Sequence, residues 1–138
     1  MSFNFVRYGQ ANLPDIGINY PQIAQELCLQ YYNSYDANMR SLSSIYYPTS
    51  QFTIQENECI GFNNFIDLLT SKNINRITHH NVHITAQPIK PAHLLVTATG
   101  IITLNDSVHS NKFVETLLFQ RDDNNIFKIH STILKVIE

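Results

Sequence analysis

Charge is scarce in this chain: only 14% of its 138 residues are Asp, Glu, Lys or Arg, where about 25% is usual for soluble domains. Much of the surface must therefore be neutral and polar, which leaves room for apolar contact with a partner. The net charge is −2, and no basic stripe is visible, so no direct nucleic-acid ligand is expected. Cysteine is scarce as well. Cys28 and Cys59 stand outside any CxxC or Cys/His cluster and read as reduced, packed thiols. A run of 18 apolar residues is missing, so no membrane partner is expected. The opening stretch MSFNFVRYGQANLPDIG lacks the apolar core and small-residue cleavage site of a secretory leader. There is no internal repeat, linker or low-complexity tract.

What is present is enough for one domain, since a chain of roughly 150 residues buries about 70% of its unfolded surface. Residues 1–18 are broken by Gly9, Pro14 and Gly17 and are expected to form a tail, with a single domain over 19–138. Asn19 is a candidate N-cap, followed by Pro21, which a first helical turn tolerates. Ile23, Leu27, Tyr31 and Tyr35 then recur every four residues, with Ala24 and Cys28 beside them, the stripe of an amphipathic helix. A second short helix is expected over Ala37 to Tyr46, ended by Pro48. A short strand follows at Phe52 to Gln55, and a third helix after Gly61, from Phe62 to Lys72.

Beyond the third helix the pattern turns to Ile, Val, Thr, Leu and Phe. Four long strands are expected: Arg76 to Gln87, Leu94 to Leu104, Lys112 to Arg121 and Ile126 to Ile137. Turn residues separate them: Pro88 and Pro91, then Asn105-Asp106-Ser107, then Asp122 to Asn125, so antiparallel hairpins are expected. Helices first and hairpins after give an α+β class, three helices packed on a strongly curved antiparallel sheet. Segments such as LLVTATGIITL alternate little, which implies cover on both sheet faces. No helix is left for the second face, so a partner subunit is its simplest cover. Gly100 in mid-strand marks a bulge or bend.

The ordered series of these residues resembles the nuclear transport factor 2 family. It comprises the Tyr31-Tyr32 pair, then Tyr35-Asp36, Leu42-x-x-Ile45-Tyr46, Gly61, His79, Gln87-Pro88 and Gly100. The resemblance runs without a gap from Tyr20 to about Leu104, and with small insertions beyond. It implies a cone-shaped α+β fold and a homodimer docked sheet to sheet, working in cytoplasm and nucleus and at the nuclear pore. It also implies import of Ran GTPase in its GDP form through binding of phenylalanine-glycine repeats of nucleoporins, with no cofactor, metal or catalysis. Carried over by position, the Ran pocket and its rim fall on Ile54, Gln55, Ile77, Asn105, Asp106 and Ile133. The repeat site falls on Tyr20 and Asp36. The family's pocket Trp is Ile54 here, and rim acids fall on Gln55, Asn105 and Ser107, so the acidic rim is largely lost, although Asp106 keeps a charge.

Two other functions are weighed. The small subunit of an mRNA-export heterodimer shares the fold and lacks Ran binding, which suits the depleted rim. The cone also hosts isomerases and dehydratases, for which His79, His80, His83, Asp67 and Tyr46 are the candidates here. Regular alternation would place His80 and His83 on opposite faces and His79 with His83 on one face. At strand rise the latter pair stand about 13 Å apart, too far for one zinc with bonds of about 2 Å.

Overall fold

A computed structural model of the protein describes residues 16 to 137. Of the expected tail, residues 1–15 lie outside the described residues. Helix α1 (Ile16–Ala37) begins earlier than expected but breaks its geometry at Asn19 (φ −117°, ψ 20°), two residues before Pro21. Pro21 has no N–H to give to residue 17 and its ring crowds that carbonyl, so the regular helix starts where the candidate cap stands. Ala24, Cys28, Tyr31, Tyr32 and Tyr35 form its buried face.

The expected second helix is instead a 3₁₀ helix, Met39–Ile45. Asn38 caps it, with its side-chain oxygen accepting from Arg40 N at 3.1 Å, and Ser41 Oγ donates to Asn38 O at 2.6 Å. Such local side-chain bonds favour tight turns over α-helix. Helix α2 (Phe62–Ser71) buries Phe65, Ile66 and Leu69.

The strands are β1 (Tyr46–Ile54), β2 (Asn57–Ile60), β3 (Ile77–Ile89), β4 (His93–Leu104), β5 (Asn111–Arg121) and β6 (Phe127–Ile137). They form one sheet in the order β2-β1-β6-β5-β4-β3. Two features depart from expectation. β1 starts earlier and turns through Gln55 (φ 55°) into the short partner β2. β1 also pairs parallel with β6, while every other pairing is antiparallel. Pro48 sits where β1 swings out of register with β6, a place that needs no N–H donor. Ser50 Oγ holds that swing, accepting from Tyr47 N at 2.9 Å and donating to Ile129 O at 2.6 Å.

Two bulges curl the sheet around α1. In β3, Asn81 and Val82 oppose the single residue Gly100, because His80 pairs with Ile101 and His83 with Thr99. In β6, His130 is the extra residue, because Phe119 pairs with Ile129 and Leu118 with Ser131. Each extra residue reverses which side chains face inward. In β3 the inward set passes from Ile77 and His79 to Ile84 and Ala86; in β6 it passes from Ile129 to Thr132, Leu134 and Val136. Consequently His80 and His83 share the outer face and His79 alone points inward, the reverse of regular alternation.

The expected bend at Gly100 therefore lies against a bulge of the neighbouring strand. A Cβ at Gly100 would stand 2.8 Å from His80 O, 3.0 Å from Asn81 O and 3.0 Å from the Phe113 ring. Two backbone carbonyls of β3 on one side, with the buried Phe113 ring of β5 on the other, cannot yield cheaply. We expect Gly100→Ala to cost about 1–3 kcal/mol, the scale of overpacking a tight site, read as a lower urea midpoint. An unchanged midpoint would mean that the bulge relaxes freely.

Candidate functional site

The open end of the cone holds an apolar cavity of about 180 Å³. Ile54, Ile74, Ile77, Ile102, Leu104, Leu134 and Val136 line it, with Gln55, Asn111 and Lys72 at its edge. Inward positions of β1, β3, β4 and β6 supply its walls and the end of α2 supplies one side. Lys72 is the ionisable residue in this lining, so no acid and base face each other across it.

Of the six residues expected at this site, Ile54, Gln55 and Ile77 meet here. Ile133 does not. It pairs with Thr116 and Thr53 on the outer face, 48% exposed, between inward Thr132 and Leu134. The β6 bulge causes this, since regular alternation from Ile129 would have turned Ile133 inward. Leu134 and Val136 take its place in the cavity, and so does Ile102 from β4.

The polar rim positions are occupied with structural work. Gln55 continues the β1–β6 ladder with its side chain: Nε2 donates to Val136 O at 3.0 Å and Oε1 accepts from Val136 N at 2.9 Å. Its own N–H reaches Leu134 O at 2.9 Å. Asn105 ties the β4–β5 turn to the segment after α2. Its Oδ1 accepts from Asn75 N at 2.7 Å and Arg76 N at 3.2 Å, and its Nδ2 donates to Asn73 O. Asn105 and Asp106 both have positive φ, 55° and 56°, the backbone of a tight reversing turn. Asp106 pairs with Arg76 at 3.1 Å, both side chains exposed, a contact worth about 1 kcal/mol or less. The cavity is thus bordered by neutral amides and Lys72 rather than by free carboxylates.

The second expected site is not assembled within one chain. Tyr20 is half-buried against the core near the start of α1. Asp36 lies sixteen residues on, about 24 Å along the axis at 1.5 Å per residue. Asp36 instead anchors β3: its Oδ1 accepts from His79 N at 3.0 Å and stands 2.7 Å from His79 Nδ1. The His79 ring is enclosed by Tyr32, Tyr35 and Phe113, with centroids 4.6, 4.9 and 5.1 Å away. Its Nε2 is buried without a protein partner.

Beside this pair lies a polar centre that no sequence pattern signalled. Glu115, 2% exposed, accepts hydrogen bonds from Tyr32 at 2.8 Å, Tyr31 at 3.3 Å and Thr132 at 2.6 Å. Tyr31 also meets Tyr46, oxygen to oxygen, at 3.0 Å. Burial, and next the charge of Glu115, push the phenols of Tyr31, Tyr32 and Tyr46 upward and the Cys28 thiol up to about 12, so these groups stay protonated. Three of the roughly four acceptor positions of a carboxylate are filled. Of the other acid–base candidates, His80 and His83 are exposed on the opposite face and Asp67 is exposed on α2. The set does not converge on one pocket.

Comparison with known proteins places this geometry. The sequence model of the nuclear transport factor 2 domain matches residues 23–136. "Nuclear transport factor 2" of Debaryomyces hansenii is 22% identical over 113 residues, 81% of this chain and 91% of that protein. Among solved structures, nuclear transport factor 2 from Cryptosporidium parvum aligns with a TM-score of 0.75 and 22% identity, covering 86% of this chain and 95% of its own. The Candida albicans Mtr2–Mex67 M domain complex aligns at 0.67 with 12% identity, covering 84% and 93%. A scytalone dehydratase-like protein of Novosphingobium aromaticivorans also aligns at 0.67 with 12% identity, covering 88% and 86%. These structural likenesses show the cone fold.

Gln55 offers a sharp test of rim against scaffold. A carboxylate at this position accepts from Val136 N but cannot donate to Val136 O. We expect Gln55→Glu to lower stability by about 1–2 kcal/mol in chemical denaturation. A neutral result would return position 55 to the rim.

Proposed function

The chain belongs to the nuclear transport factor 2 family, and from that premise we propose that it is a nucleocytoplasmic transport adaptor that binds proteins and catalyses no reaction. It works in cytoplasm and nucleus and at the nuclear pore. It docks through the outer face of its sheet onto a second subunit and binds phenylalanine-glycine repeats of nucleoporins through the aromatic face of Tyr20. The cavity receives one apolar anchor side chain of a protein partner, and Ran in its GDP form is the partner that the family implies.

The observation that carries this reading is the aliphatic cavity at the open end of the cone. An apolar pocket without opposed acid and base suits insertion of an anchor residue, the usual centre of a protein interface, and offers nothing for proton transfer. Buried Glu115 and half-buried Asp36 lie outside this cavity and are bonded elsewhere, Glu115 under three hydroxyls and Asp36 to His79. Weak aromatic contacts in shallow sites exchange fast, and two copies in an assembly restore avidity.

The rim favours a second reading inside the same family, the small subunit of an export-type heterodimer. Gln55 and Asn105 are committed to backbone, Asp106 is paired with Arg76, and exposed Lys72 borders the cavity. A basic partner such as Ran then meets no free carboxylate there.

One binding experiment separates these readings. The purified chain is titrated with a labelled phenylalanine-glycine peptide and, separately, with Ran–GDP and Ran–GTP. Peptide binding together with Ran–GDP selectivity supports the import carrier; peptide binding alone supports the export subunit; neither refutes transport. Because each rim charge is worth about 1 kcal/mol at the surface, Lys72→Glu should tighten Ran–GDP binding several-fold if the cavity is its site. Tyr20→Ala should weaken the peptide about tenfold, with native circular dichroism retained.

A further inference from the structure

We propose that residues 3–8 of this chain, which precede its described part, fold back as an extended segment into the cleft between α1 and β3 and cover the free edge of the sheet. This role stands apart from the transport reading.

Leu29, Asn33 and Asp36 on α1 face Asn81, Val82 and Ile84 on β3 across a cleft of about 240 Å³. β3 is the end strand of the sheet and is 13 residues long. A long edge left bare invites pairing with another chain, so proteins cover or interrupt such edges. The two ends of β3 are dealt with in this way. Near its start, His79 N donates to Asp36 Oδ1 at 3.0 Å, which shows that the outer backbone of β3 points at this cleft. Near its far end, Pro88 removes an N–H. Between them lies the bulge, where Asn81 has φ 53°, and here the edge borders the cleft with no strand beside it among the described residues. Leu29, 65% exposed, forms an apolar wall opposite.

The segment has the chemistry for this place. Phe3, Phe5, Val6 and Tyr8 are strand-forming and apolar, and Arg7 is the only charged residue among the first fourteen. The charged groups beside the cleft are mostly acidic. Glu26 is exposed one helical turn before Leu29, and Asp36 closes the far end. Arg76, near Asp36, is engaged: it pairs with Asp106 at 3.1 Å and donates to Asp36 O at 3.5 Å.

The reach fits as well. Phe3 stands thirteen residues before Ile16, up to about 43 Å of extended chain at 3.3 Å per residue. Asp36 lies only about 30 Å along α1 from Ile16 at 1.5 Å per residue. The slack allows a reversal in the stretch that holds Gly9 and Pro14. Laid antiparallel to α1 with Arg7 at Glu26, the segment sets Phe5 beside Leu29, since two strand residues cover about 7 Å and one helical turn about 5 Å. Phe3 then falls near Asn33. Because the segment is tethered to the helix that walls the cleft, its local concentration is of millimolar order. It therefore outcompetes a second copy or a foreign strand at micromolar concentration.

Native-state hydrogen exchange of the full chain reads the edge directly. Phe3→Ser/Phe5→Ser should speed exchange of the amides over 81–84 by roughly tenfold or more, while the amides of β5 keep their protection. Leu29→Ser, at an exposed site, should do the same from the other wall. All three substitutions together should add nothing further, because either set alone empties the cleft. Arg7→Glu should speed the same amides about threefold, and Glu26→Lys added to it should restore them. Circular dichroism checks that each variant keeps the native fold. Equal exchange over 81–84 in the wild type and the tail variant overturns the proposal, and so does an additive effect of the tail and Leu29 substitutions. Protection that grows with protein concentration gives the edge to a second copy and overturns it too.

Discussion

Everything in this molecule follows from how the sheet bends. A sheet carrying four long strands cannot enclose a 22-residue helix unless its strands curve, and the curvature comes from one extra residue in β3 and one in β6. Bulges bend strands and strengthen their twist. They also reset the two-residue alternation along the strand beyond them. That second effect chooses which side chains line the cavity, which fill the core, and which form the outer face. Gly100 is the steric condition for the β3 bulge, because only a residue without Cβ lets the doubled strand approach.

The same constraint explains what was legible in the sequence. Helix α1, helix α2 and the four long strands were readable from apolar period and turn residues, and the three-helix α+β order followed. His83 was not, because alternation was counted through the β3 bulge, which Gly100 signalled only from the neighbouring strand; Ile133, placed by the resemblance, is turned outward by a second bulge at His130, an unremarkable residue. The β1–β2 hairpin was hidden because its turn is made by Gln55 at positive φ rather than by Gly or Asn. The parallel β1–β6 pairing joins segments some eighty residues apart, which no local pattern encodes. Within the candidate site, Ile54, Gln55 and Ile77 converge as expected from the resemblance. The work of Gln55 and Asn105 in tying backbone was not legible, because a side-chain amide looks the same in a rim and in a ladder.

The buried polar centre shows how a cone can hold a carboxylate deep inside its core. Burying Glu115 costs several kcal/mol unless hydrogen bonds replace its water. Tyr31, Tyr32 and Thr132 supply them, from α1 on one side and β6 on the other. The carboxylate thereby pins the helix to the sheet at a defined register. Asp36 performs a similar service at the far end of α1, holding both the backbone and the ring of His79. Two acids and a histidine thus clamp α1 in the curve of the sheet.

With its buried acids used as clamps, the chain's exposed acids become informative by where they are not. Net charge is −2, yet the cavity border carries Lys72 and amides, and the outward positions of β3 to β6 carry three lysines and no carboxylate. In the adaptor reading proposed above, these are the two surfaces that meet partners. A chain this poor in charge gains little long-range steering from its net charge, so short-range matching governs who docks. The cavity border, with amides and Lys72, favours a partner that brings its own carboxylate, whereas the outer face mixes its lysines with Glu58 on β2 and with Asp122 and Asp123 in the β5–β6 turn. The same bulges that set the inward register give the two surfaces different charge, so each selects a partner by its own local pairing.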